Sequence, residues 1–307
     1  MLLTAPSART ASAVVFFSAA VWGTYWIPLR YLEEQGLAGT SAVALLALPA
    51  ILPLLMLVLL RWRDHRGYMR TALAIGFFTG MGIALYSSGV LFSSVVRATL
   101  LFYLTPAWAT LIEVFWLKER AGWLRWLAII GGFTGMSLLL SGHGSVQLNI
   151  GDLLALLSGI FWAIGSAMIK RYDRVPLPGI TLCQFSFTAL GAILIGYMAQ
   201  PGSLLTLEQS LPLLPVSTLV SVGMLLPTLF AIFWAQKFIY PGRASLLMMS
   251  EVLIAVLSAS LLLPEERMTL MEWCGALLIV TACLAEVITS NESTTVTGQP
   301  LDNQAPS

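Results

Sequence analysis

The chain is predicted to be an all-α integral membrane protein, with ten transmembrane helices forming two inverted five-helix repeats. Three observations predict this. Ten apolar stretches of spanning length run through its 307 residues. Hydrophobic residues make up 58%, charged residues only 10%, and the mean hydropathy is +0.85. A soluble domain carries about 25% charged residues. The second five stretches also repeat the first five.

The spans read as 11–32, 39–60, 71–91, 95–116, 123–141, 151–171, 179–199, 213–236, 244–263 and 270–289. Each is close to the roughly 20 residues that a hydrocarbon core of about 30 Å demands. All are expected to be helices, because lipid offers no partner for a free backbone N–H or C=O. The first has too long an apolar run for a cleaved signal peptide, and nine more spans follow it. Residues 1–145 form the first repeat, 146–289 the second, and 290–307 a polar tail expected to be disordered.

Loop charges set the orientation. With an even number of spans both termini lie on one side. Thirteen of the 16 Lys and Arg then fall on that side, leaving only Arg30, Arg97 and Arg267 on the other. The positive-inside rule places the termini in the cytoplasm, in what reads as a bacterial inner membrane. The formal net charge of +1 points to no polyanionic partner, so nucleic acid is not expected.

Cys183, Cys274 and Cys283 lie within spans, form no CxxC and read as reduced apolar packing groups. His65 and His143 lie in separate loops, and no metal-ligand spacing appears. No GxxxxGK[ST] is present, so any pumping draws on an ion gradient or on the substrate's own gradient. No cofactor is expected.

The repeat is carried by four matches in order. Ser18-x3-Trp22 recurs as Ser158-x3-Trp162, with Ala19 and Gly23 recurring as Gly159 and Ala163. Arg97-Ala98-Thr99-Leu100-Leu101 recurs as Arg243-Ala244-Ser245-Leu246-Leu247. Glu119-Arg120 recurs as Glu266-Arg267, and Trp126 matches Trp273. Five is odd, so two such copies in series insert upside down relative to each other, as in many secondary transporters.

At these residues the chain resembles the drug/metabolite transporter superfamily, in its ten-helix branch with paired EamA-type domains. The resemblance rests on the tryptophan-bearing first and sixth spans, on Leu104-Thr105-Pro106 followed by Leu117-Lys118-Glu119-Arg120, and on Ser250-Glu251-Val252 followed by Leu263-Pro264-Glu265-Glu266-Arg267. It covers residues 11 to 289. It implies a metabolite carrier with a cavity between spans 1, 3, 4, 6, 8 and 9. Val252 stands where the first copy has Pro106, which speaks against a kink in the ninth span.

Small residues at i, i+4 spacing predict close helix packing: Ala72-Gly76-Gly80-Ala84, Ala155-Gly159-Ala163-Ala167 and Gly131-Gly135. Pro106 and Pro227 lie within spans and free the carbonyls of Phe102 and Gly223, which makes each a hinge or ligand candidate against a static kink. Pro49 and Pro53 read as static bends.

Glu251 lies eight residues past Arg243, about 12 Å along the helix and so near mid-membrane. A carboxyl there is a functional candidate that can take up and release a proton, against the alternative of a protonated group tying helices together. Glu113 reads as reaching the interface or pairing with Lys118. Arg97 reads as a snorkelling or capping residue, and Asp152 and Glu286 as solvated span ends. Trp22 and Trp162 are deep and related by the repeat, so their indole faces suit apolar, aromatic or cationic groups. Trp26 and Trp234 read as interfacial. No buried basic cluster suited to a phosphate appears, which counts against nucleotide sugars.

The combined expectation is a secondary carrier, not an enzyme, exporting small amphipathic metabolites such as amino acids or organic cations by alternating access. Trp22, Tyr86, Tyr103, Trp162 and Glu251 are the candidate substrate-binding residues. Glu251 is the candidate for coupling to protons. The partners are the small-molecule substrate and the lipid bilayer, and the oligomeric state is left open. The other classes are a lipid-modifying enzyme, a membrane sensor, or a carrier of another metabolite class.

Overall fold

The computed structural model describes residues 6–37, 39–93, 98, 101–139, 149–199, 206–262 and 269–288, and every regular element among them is helical. Among the described residues, six stretches are long and apolar enough to cross a membrane: Ala8–Glu34, Thr40–Leu60, Met69–Val90, Ile150–Arg171, Leu177–Ala199 and Leu207–Gln236. Large apolar side chains such as Leu52, Leu60, Met198, Leu219 and Leu277 stand exposed around them. An apolar surface of that extent belongs in lipid.

The first predicted span is two helices, α1 (Ala8–Trp22) and α2 (Trp26–Glu34), parted at Gly23–Tyr25. Pro28 explains the break. It has no N–H for the Thr24 carbonyl four residues back, and its ring crowds that carbonyl. The repeat-related residue in the sixth span is Met168, and there the helix runs unbroken. The second span is α3 (Thr40–Leu60), with Pro49 and Pro53 inside it. A short α4 (Trp62–His65) precedes α5 (Met69–Phe92), the third span. α6 (Thr105–Phe115) and α7 (Trp123–Leu139) follow.

The second half holds α8 (Ile150–Arg171) and α9 (Leu177–Ala199). The eighth span opens with α10 (Leu207–Ser210), a 3₁₀ turn and α11 (Leu214–Val220), then passes through a π-helical stretch at Ser221–Leu225 into α12 (Leu226–Gln236). The ninth is α13 (Pro241–Leu247) and α14 (Ser250–Leu262), and α15 (Leu270–Ile288) is the last described element.

Neighbours pair off when the two halves are exchanged. α1 packs on α12 as α8 packs on α5, and α1 packs on α14 as α8 packs on α6. α3 with α9, α6 with α13, and α7 with α15 pack across the two halves. The small-residue stripes supply the closeness. At Gly76 and Gly80 any Cβ would run into Cys183 and Gln184 of α9. A Cβ on Gly135 would lie 2.7 Å from the Gly275 carbonyl of α15. Gly131 faces nothing within 4 Å, so that member of its stripe is not a contact.

Four sequence expectations need correction. The ninth span is broken after all, at Met248–Met249, with no proline involved. Asp152 is not solvated. It is 3% exposed and completes a capping box with Asn149 while accepting a 2.5 Å hydrogen bond from Ser93 Oγ. Arg243 is not a loop residue, being buried in the first turn of α13. Glu113 pairs with Arg125 rather than Lys118. Arg97, His143, Pro264, Glu265, Glu266 and Arg267 lie outside the described residues, as does the side chain of Glu286.

Candidate functional site

The broken helices converge. At Gly23 the first span lies so close to the ninth that a Cβ would meet the Glu251 carbonyl and Ile254. Only glycine permits that approach. Ser250 Oγ crosses back to the Phe16 carbonyl at 2.8 Å, and Trp26 Nε1 donates to Ser258 Oγ at 2.9 Å. Trp26 is therefore a strut between two spans, not simply an interfacial ring. On the other side, Gly159 of α8 sits 2.7 Å, measured from an added Cβ, from the Phe102 carbonyl.

That carbonyl is one of those freed by proline. Pro106 occupies the first turn of α6, where its missing N–H costs nothing. The chain before it is broken at Tyr103–Leu104, and the Thr105 hydroxyl donates to the Phe102 carbonyl. Pro227 similarly begins α12, just beyond the π stretch, and Thr228 Oγ1 donates to the Met224 carbonyl at 2.7 Å. At Pro106 a side-chain hydroxyl thus satisfies the carbonyl that the proline frees, as membrane depth requires.

Between these breaks lies a small cavity of about 30 Å³. Its walls are Trp22 and Tyr25 of the first span; Ile83, Tyr86 and Ser87 of the third; Phe102 of the fourth; Trp162 of the sixth; Leu229 and Ile232 of the eighth; Met248 and Glu251 of the ninth. The volume fits one water molecule. Small-molecule sites measure roughly 300–1,000 Å³, so a solute would fit here only if the walls moved apart.

Four of the five predicted binding residues, Trp22, Tyr86, Trp162 and Glu251, line this cavity. Tyr103 stands behind the wall. It is 2% exposed, and its hydroxyl donates to the Met248 carbonyl at 3.3 Å, on the Glu251 side of the wall. It therefore joins the break of the fourth span to the break of the ninth. Pro227 faces away from the cavity, into an apolar groove with Val14, Leu54 and Trp234. Tyr25, Ser87 and Met248 carried no sequence signal strong enough to single them out. Tyr25 lies off the i, i+4 face of Trp22 and reaches the cavity because the helix ends at Trp22. It then stacks on that tryptophan at 5.1 Å.

Among the described lining residues Glu251 alone is charged. The repeat assigns Thr105 to the same place in the first copy, so the carboxylate is a one-sided feature. No group of three or more His, Cys, Asp or Glu among the described residues is placed to hold a metal.

The basic end is closed. Glu113, 1% exposed, pairs with Arg125 at the start of α7 and accepts the Gly242 N–H of α13 at 3.1 Å. Lys170 Nζ lies 4.8 Å over the Tyr240 ring and donates to the Lys237 carbonyl at 3.2 Å. Lys237 in turn donates to the Asp173 and Val175 carbonyls at 2.6 Å each. Burial, and then a hydrogen bond to Glu119, pushes the Tyr240 hydroxyl up to about 12. Burial holds the Lys237 ammonium below its usual range, with Asp173 opposing.

The EamA-like transporter family matches residues 9–141 and again 149–286. An uncharacterized transporter YvbV of Bacillus subtilis is 27% identical over 302 residues, covering 91% of this chain and 92% of its own. A riboflavin transporter of Vibrio cholerae is 32% identical over 74 residues, 24% of each chain. A solved crystal structure, 18% identical, superposes with a TM-score of 0.70 over 92% of this chain and 97% of that one, a likeness of fold alone. With both halves matched, the chain belongs to the EamA-like transporter family and is a membrane transporter, not an enzyme.

Proposed function

We propose that this transporter is a ten-helix secondary carrier exporting small amphipathic metabolites, such as amino acids or organic cations, by alternating access. Residues 1–145 and 146–289 act as inverted repeats, and both termini face the cytoplasm of a bacterial inner membrane. The observation that carries the reading is one mid-span carboxylate sharing a cavity with two repeat-related tryptophans. Indole and phenol walls suit aromatic or cationic groups. The described lining holds no Lys or Arg, which disfavours phosphate-bearing solutes. The riboflavin transporter among the relatives is named for a flat aromatic molecule, in keeping with such walls.

Glu251 is the coupling group in this reading. It takes up a proton or meets a substrate cation, and that change of charge biases the broken spans. The contacts at Glu113 and Lys170 close the cytoplasmic end and must part for the other state. The experiment is flux of a substrate panel into proteoliposomes, with and without a pH gradient, for the wild type and Glu251→Gln. Transport by the wild type with a pH dependence that the Gln variant loses supports the reading. Equal behaviour of the two proteins reduces Glu251 to a packing residue.

A further inference from the structure

The two repeat-related tryptophans are not equivalent in the fold. Trp22 is half-buried and stacked on Tyr25, with 22° between the rings, so one of its faces is already covered. Trp162 is 3% exposed and tilted against Phe233 at 6.1 Å. Its Nε1–H is buried and meets no acceptor among the described residues. The helix cannot easily turn to find one, since the Trp162 backbone is pressed against Gly82 of α5.

An indole N–H is a donor only. Leaving a buried donor unpaired is costly, and such groups call for an explanation. Trp162 lines the central cavity, which has room for one water. None of the described polar groups of the wall meets the indole N–H, and Ser87 Oγ already donates to the Ile83 carbonyl at 3.0 Å.

We propose that the Trp162 Nε1–H is a specificity-determining donor that reads an oxygen acceptor on the transported molecule. The site then selects solutes bearing a carbonyl or carboxylate oxygen beside the group that meets Glu251. A bare amine or quaternary ammonium satisfies Glu251 and leaves Trp162 unpaired. Sites built to hydrogen-bond a substrate group reject analogues that lack it, because their own buried group is left without a partner. The inference rests on the cavity being the substrate site.

The test uses the full chain in proteoliposomes at mildly acidic pH, where two probes, phenylalaninamide and phenethylamine, are both protonated and differ by one amide group. Phenylalanine is a third, carboxylate-bearing probe. The wild type should prefer phenylalaninamide over phenethylamine by about fivefold to tenfold in competition for flux, the worth of one neutral hydrogen bond. Trp162→Phe keeps a ring and removes the N–H, and should bring the preference to near unity. Trp162→His, which restores a ring donor, should recover part of it. Trp108 also has a buried indole N–H without an acceptor but does not line the cavity, so Trp108→Phe should leave the preference intact. A wild type that takes the amine as well as the amide overturns the proposal without any variant, and leaves the cavity reading standing. So does a Trp162→Phe protein that keeps the full preference. If no probe of either kind interacts and Glu251→Gln changes nothing, the cavity reading falls as well.

Discussion

Glu251 is placed by contacts from outside its own helix. Gly23 lets the first span approach it, the Tyr103 hydroxyl donates to the Met248 carbonyl just before it, and its neighbour Ser250 is anchored to Phe16. If the carrier couples to protons, Glu251→Gln should still exchange substrate but lose pH-driven accumulation, measured as flux across pH ~5.5 to 8, a range that brackets a buried carboxyl's titration. If it only equilibrates substrate, the variant should lose affinity for cationic solutes alone. Trp22→Ala should weaken binding by roughly 2- to 30-fold through lost stacking and cation–π contact, with near-normal folding. Wild-type affinity in that variant would make Trp22 a packing residue. Glu113 is a different kind of carboxylate, buried against Arg125 and the Gly242 N–H. Glu113→Ala leaves Arg125, whose side chain is 16% exposed, without this partner. Breaking a buried pair from one side costs about 3 kcal/mol, so the folded fraction on denaturant titration in detergent should fall. An unchanged midpoint would show that water replaces the pair.

Breaks in helices distinguish these elements more than the helices themselves do. Pro28, Pro106 and Pro227 each stand just after a break or a π stretch, so those irregularities are local in origin. The break at Met248–Met249 has no proline. The Met248 carbonyl accepts from the Glu251 N–H at 3.0 Å and from the Tyr103 hydroxyl at 3.3 Å, and the neighbouring Ser250 hydroxyl is drawn to Phe16. It is held by other spans. Glycines within one helix also differ. Gly135→Ala should destabilise by pressing on the Gly275 carbonyl of α15, while Gly131→Ala meets open space. The second change should be neutral, or stabilising by up to about 1 kcal/mol from helix propensity. Thermal unfolding of both variants in one detergent checks the contrast, and equal shifts would remove the packing argument for Gly135.

At the scale of the whole molecule, the paired contacts between halves suit two units that rock about a shared cavity, with the basic end now shut. The proposed orientation rests on charge asymmetry, so it can be tested without a substrate. In a background lacking Cys183, Cys274 and Cys283, Arg66→Cys should resist an impermeant thiol reagent on intact cells and His143→Cys should react. The reverse pattern would invert the proposed topology.

Composition and periodicity alone established an all-helical membrane protein, most span limits, and the repeat with its two tryptophans. These follow from lipid demanding apolar, internally hydrogen-bonded segments. Glu251 was legible too, because a carboxylate in an apolar run is rare. Pro28 was there to be read as a helix breaker, by the same rule applied to Pro106. The rest depends on which helices meet. The partner of Glu113, the burial of Asp152 and Arg243, the break at Met248–Met249 and the place of Tyr103 behind the wall were set by contacts between residues up to 234 positions apart. The repeat makes Trp22 and Trp162 look alike, and only their tertiary neighbours tell them apart. Tyr25 covers a face of one, while the N–H of the other meets no acceptor among the described residues.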